Sequence, residues 1–168
     1  MSAVPPPDAT TLARIARSAL DEDLGERGDV TTRALFPEPR TARAVLLARA
    51  SLVVAGLPVA GAVFRLLDPD SRLEGAVHEG TAVRAGTVLT SIRADLRALL
   101  EGERTALNFV QRLSGIATAT REAVREVEGT GAAAGTPTPA RAREPKRLPG
   151  RFGFTITAAS GSSAPGRW

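Results

Sequence analysis

The sequence predicts an α+β domain followed by a tail of different character. Three observations predict it. Apolar residues recur at helical spacing in the opening, middle and closing parts of residues 1–130. Between those helical stretches lie short runs rich in Val, Leu, Ala and Thr, bounded by glycines in turn patterns. After residue 130 both periodicities stop. Of 168 residues only 4% are aromatic, so the core is aliphatic, and the 43% apolar content is enough to build one.

The first helix is expected from about residue 8 to Leu24. Asp8, Thr10 and Thr11 are its candidate caps, and Leu12, Ile15, Ala16, Ala19 and Leu20 form one apolar face. The segment 21–32, DEDLGERGDVTT, reads as a polar loop broken at Gly25 and Gly28, in which Asp29 can cap the next segment. Thr41 to Val54 reads as one largely buried strand and 57–68 as a helix with Pro58 in its first turn. Strands at 72–78 and 87–92 should flank a hairpin connection, HEGTAVRAG. From Asp95 to Leu113 the helical pattern returns, with Leu96, Leu99, Leu100, Leu107 and Val110 as its buried stripe. A separate helix is expected over 114–129.

Residues 131–168 break these rules. They hold 11 of the 28 glycines and prolines in less than a quarter of the chain. Pro137, Pro139, Pro145 and Pro149 each remove a backbone donor. Only FGFTIT (152–157) has strand character; the rest is expected to be disordered. Charge divides at the same place. Residues 1–130 carry a net −1 and residues 131–168 a net +5, so the overall +4 belongs to the tail. A nucleic-acid reading would rest on that tail alone, and none is adopted.

Composition excludes several chemistries. Without cysteine there is no disulfide scaffold, thiolate metal site or thiol nucleophile. No apolar run approaches the ~18 residues of a membrane span. The opening MSAVPPPDATT lacks the features of a secretory signal, so a soluble cytoplasmic location is expected. His78, the single histidine, has no placeable Ser or Asp partner and reads as a solvated loop residue. The acidic run Asp21, Glu22, Asp23, Glu26 and Asp29 lacks calcium-loop spacing and reads as a solvated helix-to-loop transition. GTGAAAG (129–135) lacks the spacing and the Lys of a phosphate loop.

One face invites chemistry. Arg97, Glu101, Arg104, Asn108 and Gln111 succeed one another at steps of three and four, a polar stripe opposite the buried one. An arginine fork among neutral amides suits an acidic small molecule. The same spacing is equally that of an ordinary solvated helix surface, with Glu101 pairing Arg97 or Arg104.

The stretch LLEGERTALNFVQRLSGIATATRE (99–122) resembles the signature E-R-x-x-L-N-x-x-x-x-x-S-G-I-A-T of quinolinate phosphoribosyltransferases (carboxylating nicotinate-nucleotide diphosphorylases). ALDEDLGERGDVTT (19–32), ARASLVVAGLPVAGAVFRLLD (48–68) and EGTAVRAGTVLTSIRADLRALLEGER (79–104) are similar to other family segments in the same order. The resemblance covers roughly residues 10–131. It implies the N-terminal α/β sandwich of a type II phosphoribosyltransferase, with 1–113 as that domain and 114–130 as the first helix toward an α/β barrel. It also implies an enzyme of de novo NAD synthesis. That enzyme joins quinolinate to phosphoribosyl pyrophosphate, works as a homodimer, uses Mg²⁺, and releases pyrophosphate and CO₂. In that setting Arg104 contacts substrate carboxylates in the partner subunit's site.

Beyond residue 131 the family's D-T-R-K-T-x-P-G, H-R and K-x-N-H motifs and its acidic metal ligands do not appear, and Lys146 is the only lysine. The barrel is therefore expected to be missing, with 131–168 a disordered or out-of-frame tail. The chain alone is expected to lack transferase activity and to associate through the faces a barrel would cover. Rival readings are a paralogue with another acceptor and a non-catalytic module. Of the latter, a carrier domain would need a lysine at the hairpin tip, which HEGTAVRAG lacks.

Overall fold

In the computed structural model, residues 7–25, 28–128 and 152–158 are described. Helix α1 (Ala9–Leu24) starts where Asp8 accepts the Thr11 amide at 2.8 Å and stops at Gly25, whose φ is +58°. Helix α2 (Val30–Leu35) comes next, capped by Asp29 through the Thr32 amide at 2.9 Å. The polar loop expected over 21–32 is therefore interrupted at both ends by helix. Its caps are visible in sequence, but the six-residue α2 is too short to show a period.

The expected strand Thr41–Val54 is two strands, β1 (Thr41–Ala48) and β2 (Leu52–Val53), broken at 49–51. Helix α3 (Leu57–Leu67) lies deep in the core, with Val63 and Phe64 fully buried. β3 (Arg72–Glu74) pairs antiparallel with β5 (Val88–Asp95) as the hairpin reading requires. The connection is not a plain turn, however. It contains β4 (Ala82–Val83), which leaves to pair with β2 in a separate two-stranded sheet.

Helix α4 (Leu96–Val127) is a single helix of 32 residues, where two were expected. Ser114 and Gly115 look like breakers but do not break it. The Ser114 hydroxyl bonds the backbone of Ala55, on another segment, rather than competing for the amides of its own helix.

The main sheet runs β3-β5-β1-β6, where β6 is Phe152–Ala158. Its backbone pairs antiparallel with β1 from Ala42↔Ala158 to Ala48↔Phe152, so the one stretch with strand character in a tail expected to be disordered lies in the main sheet. The disorder expected for the remainder of 131–168, and the GTGAAAG segment, lie outside the described residues. One face of β1 is Ala42, Ala44, Leu46 and Ala48, all buried; the small alanines let the helical layer sit close. That layer is α1, α3 and α4, and Leu20, Phe64, Leu99 and Val110 fill it. Gly102 lies where α4 crosses α3: a Cβ there would stand 2.9 Å from Leu67 Cδ1 and 3.0 Å from Phe64 Cε1. Further along α4, Ile116 and Val124 are exposed.

Candidate functional site

The site is carried by α4, and its orientation is set at its N-terminus and again past its middle. Asp95 caps the helix. One carboxylate oxygen accepts the Arg97 amide at 3.0 Å and the Arg97 Nε at 3.2 Å, and the other accepts the Arg40 amide at 2.7 Å. Burial alone would push this carboxyl up. The Arg40 and Arg97 amides and the Arg97 guanidinium outweigh it and hold the carboxyl below its usual range.

Past the middle of α4, Ser114 and Thr118 lie one turn apart and grip β2 and the segment after it. The fully buried Ser114 Oγ accepts the Ala55 amide at 2.9 Å and donates to the Ala55 carbonyl at 3.0 Å. Thr118 Oγ1 accepts the Val53 amide at 2.9 Å and donates to the Ser114 carbonyl at 2.7 Å. Gly56 crosses the helix here with φ +102°; a Cβ would stand 3.2 Å from the Phe109 carbonyl oxygen. Glu79 then accepts the Gly56 and Leu57 amides at 2.7 and 3.0 Å, capping α3 from a different loop. The Ser and Thr of the S-G-I-A-T run thus have a structural task. Their one-turn spacing on the buried side is readable in sequence; their partners are not.

The polar stripe separates into parts with different roles. Glu101 pairs with neither Arg97 nor Arg104, as an ordinary solvated helix surface would have it, but with Arg33 of α2 at 3.4 Å. Arg97 is held by Asp95. These two residues build the helix entrance, beside a hollow of about 440 Å³ shared with Arg33, Asp68 and Pro69.

Arg104 is different. Its side chain is 79% exposed, and its one partner among the described residues is Asp23 of α1, 3.5 Å from Nη1. It opens on a groove of about 420 Å³ with Leu100, Glu103, Leu107, Asn108 and Gln111. Burial raises the pKa of Glu103 there. The structure thus brings Arg104, Asn108 and Gln111 together, as their spacing predicts, and leaves Arg97 and Glu101 out. Such a groove offers one exposed guanidinium, two amides, the Glu103 carboxyl and an apolar wall.

The expectation that Asp23 is merely solvated is corrected here. Its second oxygen accepts from Thr105 Oγ1 at 3.0 Å. Nothing in an acidic run tells which carboxylate will meet a distant helix. His78 lies in its loop, with its carbonyl accepting the Thr81 amide. Among the described residues no three His, Asp or Glu side chains converge as a metal site requires.

Residues 29–114 match the family described as quinolinate phosphoribosyl transferase, N-terminal domain. The chain belongs to this family. It is 45% identical over 108 residues to a probable nicotinate-nucleotide pyrophosphorylase [carboxylating] of Synechocystis, covering 64% of this chain and 36% of that protein. A quinolinate phosphoribosyltransferase [decarboxylating] of Nicotiana tabacum is 36% identical over 120 residues, 70% of this chain and 34% of that one. Among solved structures, NadC of Streptococcus pyogenes superposes with a TM-score of 0.69 at 32% identity, over 74% of this chain and 44% of its own. The nicotinate-nucleotide pyrophosphorylase of Francisella tularensis gives 0.68 at 27%, over 76% and 44%. The chain spans about a third of the length of these curated relatives. The expected N-terminal α/β fold is therefore the observed one. Among the described residues no helix is long and apolar enough to cross a membrane.

Proposed function

We propose that this chain supplies the N-terminal part of a quinolinate phosphoribosyltransferase site, and that Arg104 is its contribution to substrate binding. One observation carries the proposal: Arg104 is an exposed guanidinium on a rigid helix, beside an apolar wall and two amides. Quinolinate is a flat ring bearing adjacent carboxylates. Its ring fits against Leu100 and Leu107, and its carboxylate accepts from the Arg104 fork.

The rest of the chemistry needs other groups. Phosphoribosyl transfer develops positive charge on the sugar and negative charge on the departing pyrophosphate, and both need fixed counter-charges. Mg²⁺ would neutralise the pyrophosphate when bound with the phosphoribosyl donor. The described residues present one guanidinium in this groove, so a second subunit or a barrel must provide the remainder. A homodimer in which Arg104 reaches across to its partner meets the same need. On this reading the 168-residue chain alone releases no pyrophosphate from phosphoribosyl pyrophosphate and quinolinate.

The test is a chimera in which residues 1–128 replace the matching third of the Synechocystis relative. Quinolinate-dependent pyrophosphate release by the chimera, and none by the 168-residue chain, is the expected pair of results. A folded chimera without activity, or an active isolated chain, would overturn the proposal.

A further inference from the structure

Arg104 is not simply an exposed side chain. Asp23 reaches it from α1, and Asp23 is itself fixed. Thr105, one residue along α4 and only 3% exposed, donates its hydroxyl to Asp23 Oδ2 at 3.0 Å. That leaves Oδ1 facing Arg104 Nη1 at 3.5 Å. The buried hydroxyl sets the carboxylate, and the carboxylate sets the guanidinium. Nε and Nη2 of Arg104 make no other hydrogen bond or ion pair among the described residues, so the edge that grips a carboxylate with two parallel bonds is left open.

From this chain of contacts we infer that Asp23 and Thr105 are positioning residues for Arg104. They hold its fork in the orientation that takes a substrate carboxylate. The inference rests on the proposed role of Arg104 in binding quinolinate. An unrestrained arginine side chain must be ordered on binding, and ordering it beforehand improves affinity. Asp23 also brings a negative charge, which by itself opposes an anionic ligand. The two effects separate by mutation. Thr105→Val frees the carboxylate but keeps its charge, whereas Asp23→Asn removes the charge.

The experiment uses the full 168-residue chain labelled with ¹⁵N-arginine. The Arg104 Nε–Hε resonance is assigned by its loss in Arg104→Lys, and quinolinate is then titrated in. In the wild type this resonance should stand apart from those of freely exposed arginines. In Thr105→Val it should fall in with them, the titration midpoint should rise about 2- to 10-fold, and Thr105→Ser should restore both. Should Thr105→Val fail to fold, Asp23→Asn carries the test through the same resonance, which should also merge.

An Arg104 resonance unmoved by both Asp23→Asn and Thr105→Val would overturn the inference. So would a midpoint that Thr105→Val leaves unchanged and Asp23→Asn lowers, since that is the signature of charge without positioning. If quinolinate fails to move Arg104 even in the wild type, the substrate reading fails. The resonance comparison then still decides whether Asp23 and Thr105 position the arginine.

Discussion

Ser114→Ala tests how α4 is fixed to the sheet layer. The substitution removes one hydroxyl and with it two hydrogen bonds, at 2.9 and 3.0 Å, to the amide and carbonyl of Ala55. Ser114 is fully buried and Ala55 half-buried, so water can reach only part of what is left unpaired. A buried polar group without a partner costs about 1–3 kcal/mol. With partial rescue by solvent, the expected loss is about 2 kcal/mol. For a domain of this size that lowers Tm by roughly 6–10 °C. The assay is urea unfolding followed by helical circular dichroism, with Arg112→Ala as the control. Arg112 is exposed and unpaired among the described residues, so its loss should stay within ~0.5 kcal/mol. The midpoint should fall in Ser114→Ala at an unchanged slope. If the two variants unfold together, the hydroxyl clamp does not hold the segment after β2 to α4, and the structural reading of the S-G-I-A-T run is wrong.

Three further outcomes come from the same geometry. Gly56→Ala should destabilise the chain by about 2–4 kcal/mol in urea unfolding, because a positive φ and a crowded approach to Phe109 act together. Glu79→Ala removes the cap on α3 and should cost about 1 kcal/mol, measured in the same way. Asp95→Asn should cost about 1–2 kcal/mol at neutral pH. The folded-state pKa of Asp95 is lowered, so its contribution is complete above the unfolded value of 3.8 and is lost as pH falls through the lower folded value. Unfolding curves of wild type and variant should therefore converge in acid; a gap that persists at low pH would contradict the sign.

Much of the fold can be read from periodicity and caps. Asp8 and Asp29 start helices where their residue types lead one to expect, and Leu99 and Val110 line the buried stripe of α4. What escapes a sequence reading depends on distant partners. Ser114-Gly115 resembles a helix end until Ala55 arrives to take the hydroxyl. The 41–54 run resembles one strand until β4 captures Leu52–Val53 for a second sheet. The stripe on α4 is visible as a stripe, but the division of labour along it is not. Arg33 pairs with Glu101 from a segment 68 residues away, and Asp23 meets Arg104 from α1; together they decide which arginine faces the groove. The charge division at residue 131 marks where the hydrophobic pattern stops, and Arg104 stands on the nearly neutral side.

The role proposed for Arg104 is to bind a substrate carboxylate. Its most direct test is the KM for quinolinate of the active chimera carrying Arg104→Ala, at fixed phosphoribosyl pyrophosphate. Losing a charge-assisted carboxylate contact of about 1.5–3 kcal/mol should raise KM roughly 10- to 100-fold, with the KM for phosphoribosyl pyrophosphate little changed. An unchanged quinolinate KM in the folded variant would contradict the account.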